Sequence, residues 1–152
     1  MIVKAISLWE PYATAMRLGL KRNETRSWST DHRGLLMICG AKTRKGMGVM
    51  AEASIGDLFE PYIPDDVLID DWEGWHYGQA AALVRVVDCV STDIIGNYSP
   101  SQSELDLGDY GRGRYAWITE PVNCEFESFP VKGRQRLFDL EIDDEIVVAG
   151  EF

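Results

Sequence analysis

Cysteine and histidine are scarce in this chain. Its 152 residues include three cysteines and two histidines. Cys39, Cys89 and Cys124 lie far apart with no Cys-x-x-Cys pair, and only His32 and His76 could join them, so a zinc site is not expected. Each cysteine sits inside or beside an apolar run and reads as a small buried thiol. No apolar run reaches the ~18 residues of a membrane span. The opening "MIVKAISLWE" lacks the apolar core of a secretion signal. The expectation is a cytoplasmic protein with no membrane partner. There is no internal repeat and no low-complexity linker, and the length suits one domain over 1–152. At 45% hydrophobic and 11% aromatic residues, the composition excludes a disordered chain.

Positive charge is also in short supply, with 15 Lys/Arg against 25 Asp/Glu and a net charge of −10. That argues against nucleic-acid binding over the whole surface. The charge is uneven, however. Residues 1–50 carry nine Lys/Arg and three Asp/Glu, whereas residues 51–152 carry six and 22. An acidic body with one basic face can bind a polyanion locally. Charges that are merely mixed and solvated give the same totals.

The chain reads as strands with few helices between them. Residues 2–7 predict a strand. Pro11 suits the first turn of a helix in which Tyr12, Ala15 and Met16 recur at helical spacing, and Gly19 fits its C-terminal cap. "NETRSW" is then extended. Gly34 to Ala41 is a buried strand. Residues 46–59 predict a helix with Val49, Ala53 and Ile55 inward. The acidic stretch 57–78 falls mostly in a long loop with one helical turn, read as an insertion. "QAAALVRVVDCVSTD" is the strongest strand. Ser101 or Ser103 caps a short helix. Residues 114–129 form a strand pair or one bent strand, and "DEIVVAGEF" closes the chain as a strand. The class is α+β, a mixed, partly closed barrel of about six strands with short helices at its ends.

Four segments can carry chemistry. Trp9, Pro11 and Tyr12 stand at a strand-to-helix turn, where the aromatics either join the core or wall a pocket on which a base stacks. In "GLKRNETRSW", three cations surround one carboxylate. On an extended segment Glu24, Arg26 and Trp28 share a face, with Lys21 in the turn before. The group is either an ordinary ion pair at a helix exit or a polar pocket lining. "GDYGRGRYAW" places Arg112 and Arg114 in a glycine-rich turn, with no helix after it of the kind that follows a nucleotide-binding loop. Lys132, Arg134 and Arg136 alternate, and on a strand would form a basic stripe for phosphates or for solvent.

Taken in order, these segments resemble the ASCH domain, a branch of the PUA-like superfamily. Gly19-x-Lys21-x-x-Glu24-x-Arg26 is similar to its G-x-K-x-x-E-x-R signature, and "SLWEPYA" to the preceding S-L-W-x-P-W-A, with Tyr12 replacing the second Trp. "RSW", "RGLLMICGAK" and "GRYAW" follow in family order. The resemblance implies a PUA-like barrel with a cleft between barrel and first helix. It implies RNA, single-stranded or modified nucleic acid, or a nucleoside as partner, and no cofactor. The ligand-binding candidates it gathers are Trp9, Pro11, Tyr12, Lys21, Glu24, Arg26, Trp28, Lys42, Arg114, Tyr115 and Trp117. Some members are hydrolases of acetylated cytidine or ribonucleases, which would make Lys21 and Glu24 catalytic. The hydroxyl that the amidohydrolases place three residues after the lysine is Glu24 here, and a carboxylate does not replace a hydroxyl nucleophile. A protein-interaction domain on the same fold is the remaining alternative.

Overall fold

Alternating apolar side chains build a sheet that is buried on both faces. In β1 (Ile2–Leu8), Ile6 and Leu8 face one side and Val3 and Ala5 the other. In β3 (Gly34–Gly40), Leu36 and Ile38 oppose Met37 and Cys39. A strand covered on both sides is apolar at nearly every position, hence the unbroken run in β3. The remaining strands are β2 (Glu24–Arg26), β4 (Ala80–Ser91), β5 (Tyr115–Pro121) and β6 (Phe138–Glu141). The computed structural model describes residues 1–122 and 125–148, and it joins the six strands in the order β2-β5-β4-β3-β1-β6. β1 and β3 run parallel, and the other neighbours are antiparallel. Cys124 lies outside the described residues.

The expected barrel does not close. β2 and β6 are edges that do not pair with each other. With three and four residues, they offer no length for a closing ladder. β6 covers only Ile2 to Ala5 of β1, so the end of β1 projects past it. There a side chain crosses the gap: Arg26 Nη2 donates to the Ser7 carbonyl at 3.0 Å.

Helix α1 (Tyr12–Leu18) covers one face, packing Ala13 and Met16 against Ile6, Leu8, Val84 and Trp117. It begins just after Pro11 and stops at Gly19, whose φ of 75° lets the Gly19 and Leu20 N–H groups turn back to the Met16 and Ala15 carbonyls. Only glycine adopts that left-handed cap without a steric cost. The far side of α1 meets Met47, Met50, Ile55, Phe59 and Trp75.

Several expected elements differ. The helix over 46–59 is two pieces, a 3-10 segment (Lys45–Ala51) and α2 (Ala53–Phe59), broken at an extended Glu52. The break resets the helical phase, so Met47 and Met50 turn inward, Val49 is half-buried and Ala53 is exposed. The acidic stretch contains the expected turn (Ile69–Asp71), and its Trp72 and Trp75 pack edge to face at 4.8 Å. Ser101 is the residue that caps α3 (Gln102–Asp106). Residues 144–148 form helix α4 (Asp144–Val148) instead of a strand. Asp143 explains this, because its side chain accepts the Glu145 N–H and outweighs the β preference of the valines. The rest of that expected strand, 149–152, lies outside the described residues. The sixth strand comes earlier, at β6. Lys132, Arg134 and Arg136 sit in a loop, not on a strand, because β6 starts only at Phe138.

A buried polar network ties α1 to the segment before β4. Glu10, fully buried, accepts the Thr14 N–H at 2.8 Å, the Thr14 hydroxyl, and the His76 N–H. With the Thr14 hydroxyl donating to Glu10, His76 Nδ1, 2.7 Å from Thr14 Oγ1, is the protonated ring nitrogen that donates back. Burial, reinforced by the charge of Arg17, lowers the His76 pKa to about 4. Burial raises that of Glu10, against the bonds from Thr14 and His76. Below about 6.5 the unfolded histidine binds a proton that the folded one refuses. Stability that is complete above that pH is therefore lost as pH falls toward 4, by at most about 1.4 kcal/mol per pH unit. Glu10, with its raised pKa, contributes oppositely and offsets part of the loss. His76→Gln should flatten the decline between pH 6.5 and 4 in denaturant titrations, and an equal decline in variant and parent would contradict this assignment.

Candidate functional site

The turn after α1 delivers a lysine into the protein. The Lys21 N–H bonds the Ala15 carbonyl at 3.2 Å, and the side chain runs inward to 2% exposure. Lys21 Nζ donates to the Leu107 carbonyl at 2.9 Å and lies 3.5 Å from Glu24 Oε1. An ammonium has three N–H donors, and here two have protein acceptors. β2 then sets Glu24 and Arg26 on one face through its pairing with Trp117 and Tyr115. Glu24 is 6% exposed. Its Oε2 accepts from Arg26 Nε at 3.1 Å and lies 2.9 Å from Nη2, while Oε1 accepts the Thr25 N–H at 3.1 Å. One carboxylate is thus held between two cations where little water reaches, and such pairs are stronger there than in bulk solvent.

This set floors a cleft of about 480 Å³. Ser7, Leu8, Trp9 and Tyr12 form one wall, and Leu107, Gly108, Asp109 and Arg114 the other. Trp9 is 49% exposed and stands at the mouth. Burial, with the nearby carboxylates of Glu52 and Glu24, raises the Tyr12 pKa, so its hydroxyl stays a donor. Arg114 Nε donates to the Asp109 carbonyl at 3.1 Å. Ser7 Oγ is buried and has no partner among the described residues. A larger hollow of about 650 Å³ opens on the other side of Lys21. Its Arg17 is already bonded to the Ala81 carbonyl and lies over the Phe126 ring, so it lacks the cleft's open aromatic wall.

The structure brings together Trp9, Tyr12, Lys21, Glu24, Arg26 and Arg114 on this cleft. It places the other candidates elsewhere. Trp117 is fully buried in the core and meets Trp28 edge to face at 4.8 Å. Trp28 turns its ring to Arg136, whose guanidinium carbon lies 4.3 Å from the ring centre. Tyr115 packs against the core beside them, Pro11 is buried at the start of α1, and Lys42 is exposed against Gly78. Arg112 is exposed beside Thr92 and Tyr110, outside the cleft.

Glu104 is the residue that sequence reasoning passed over. Its buried carboxylate accepts the Arg22 N–H at 2.7 Å and the Asn23 N–H at 2.9 Å. It thereby fixes the backbone between Lys21 and Glu24. Only the acidic start of α3 hinted at it, and its partners stand 81 and 82 positions away. Thr119 adds a hydroxyl bond to the Arg22 carbonyl.

A mixed sheet flanked by short helices, with a buried Lys-Glu-Arg set beside the first helix, defines an α+β protein with a polar cleft. The chain belongs to the ASCH domain family, whose pattern matches residues 6–125. It is similar to activating signal cointegrator 1 of Mus musculus and of Homo sapiens, 25% identical to each over 136 residues. The match takes in 90% of this chain and 22% of each relative, so the chain spans about a fifth of their length. Among the described residues no helix is long and apolar enough to cross a membrane.

Glu104→Ala should free the buried Asn23 N–H and the part-buried Arg22 N–H and lower stability by about 1–3 kcal/mol in chemical denaturation. An unchanged midpoint would remove Glu104 from this supporting role.

Proposed function

We propose that the protein is a nucleic-acid-binding module that takes a nucleobase, from RNA or from single-stranded or modified nucleic acid, into this cleft. The observation that carries the reading is the Lys21-Glu24-Arg26 set, two members buried and Arg26 half-buried, lining the same cleft as the half-exposed Trp9. A base edge presents donors and acceptors together, and the floor answers with a carboxylate acceptor and two cationic donors. The base face is apolar and flat, and Trp9 and Tyr12 offer it a stacking wall. Membership of the ASCH family supports the same reading.

A hydrolytic role would have Lys21 polarise a carbonyl or phosphoryl group while Glu24 takes up a proton. Both Glu24 oxygens are engaged, by Thr25, Lys21 and Arg26. That commitment suits a fixed acceptor better than a proton carrier, and so we place binding first.

Trp9→Ala tests the cleft as the binding site, since a half-exposed side chain adds little to the fold. It should weaken binding of short single strands by about 1–3 kcal/mol and leave the melting temperature nearly unchanged. Titration of single-stranded RNA and DNA at low salt measures this, and absence of binding by the parent protein would refute the proposal.

A further inference from the structure

Beside the cleft runs a loop whose charge the base-binding site does not use. Residues 132–137 are pinned at both ends. The buried Val131 donates its N–H to the Gly78 carbonyl, and Phe138 opens β6 against Ala5. Between these anchors the backbone rests on the cleft wall: a β-carbon built on Gly133 would lie 3.1 Å from Ser7 Oγ. Ser7 lines the cleft, and its hydroxyl lacks a partner among the described residues. Further along, Arg136 adopts a φ of 61°, unusual for a residue with a side chain. Its guanidinium over Trp28 holds that turn in place.

Arg136 is therefore occupied, and Lys132 and Arg134 are not. Both are exposed, and among the described residues neither makes an ion pair. The acids nearest in sequence are Glu127, which forms no ion pair with either cation among the described residues, and Asp139, which is taken by Lys4 at 2.6 Å. In a chain of net charge −10, two unneutralised cations on a pinned loop, next to a cleft for a base, form a local polyanion contact. We infer that Lys132 and Arg134 bind the backbone phosphates flanking the base held in the cleft, so that the ligand is a phosphodiester strand rather than a free nucleoside. The inference rests on the base-binding reading above. It adds the direction in which the strand leaves, from the cleft past Ser7 and over the loop.

The test uses three probes: a labelled ten-nucleotide single-stranded RNA of mixed sequence, its DNA counterpart, and the same bases on an uncharged backbone. Each is titrated against the parent, the double variant Lys132→Gln/Arg134→Gln, Trp9→Ala, and Lys4→Gln as a charge control. Each phosphate contact on a single strand contributes about 0.7 to the slope of log affinity against log salt. The double variant should lower that slope by about 1.4 for RNA and DNA and leave the uncharged probe unaffected, while Lys4→Gln leaves all slopes as they were. An unchanged slope in the double variant overturns the inference. So does a ten-residue polyglutamate that binds as tightly as RNA through the same two residues, because the partner is then an acidic protein. If Trp9→Ala weakens RNA binding and the double variant does not, the cleft reading stands and the loop inference falls. If the double variant alone weakens binding, the phosphate contact stands and the cleft reading falls.

Discussion

A single carboxylate, Glu24, placed between Lys21 and Arg26 and shielded from water, is what the surrounding structure serves. Two buried or half-buried cations near one anion are costly to assemble unless each has further partners. The fold supplies them. Lys21 finds the Leu107 carbonyl, Arg26 finds the Ser7 carbonyl, and Glu24 takes the Thr25 N–H. The first two of these contacts also join elements that the sheet ladder leaves separate. Arg26 spans the gap where the sheet fails to close, and Lys21 ties the end of α1 to the end of α3. The polar set that faces the ligand thus also fastens the open side of the sheet.

Much of this was legible because it is local. Gly19 as a helix cap and the spacing that puts Glu24 and Arg26 on one face follow from the backbone alone, although the extended run expected through Trp28 ends after Arg26 in a bend at Ser27 and Trp28. The same holds for β3 and β4, whose apolar runs require burial on both sides. About six strands are expected and the described residues form six, though the last is not the expected segment. The valines near the C-terminus suggested a strand, and one aspartate cap was enough to make a helix instead.

The rest depended on contacts that sequence spacing does not carry. Glu104 looks like an ordinary acidic helix residue until its partners at Arg22 and Asn23 are seen. Glu10 and His76 stand 66 positions apart, and only the fold shows that one accepts the other's N–H. Aromatic residues were the least legible, because Trp9 and Trp117 are the same side chain with opposite fates. One stands half-exposed at a cleft mouth, and the other is sealed in the core. Which face of a strand becomes interior is settled by what packs over it, here α1. The barrel was over-read for a similar reason, since nothing local states that β2 and β6 are too short to close it.

The most direct test of the account is a crystal of the protein soaked with a panel of short single-stranded RNA and DNA oligonucleotides. The account requires electron density for a planar base in the cleft, its face on Trp9 and its edge about 3 Å from Glu24 and its two cations. A base bound elsewhere on the surface, with the cleft unfilled across the panel, would contradict it.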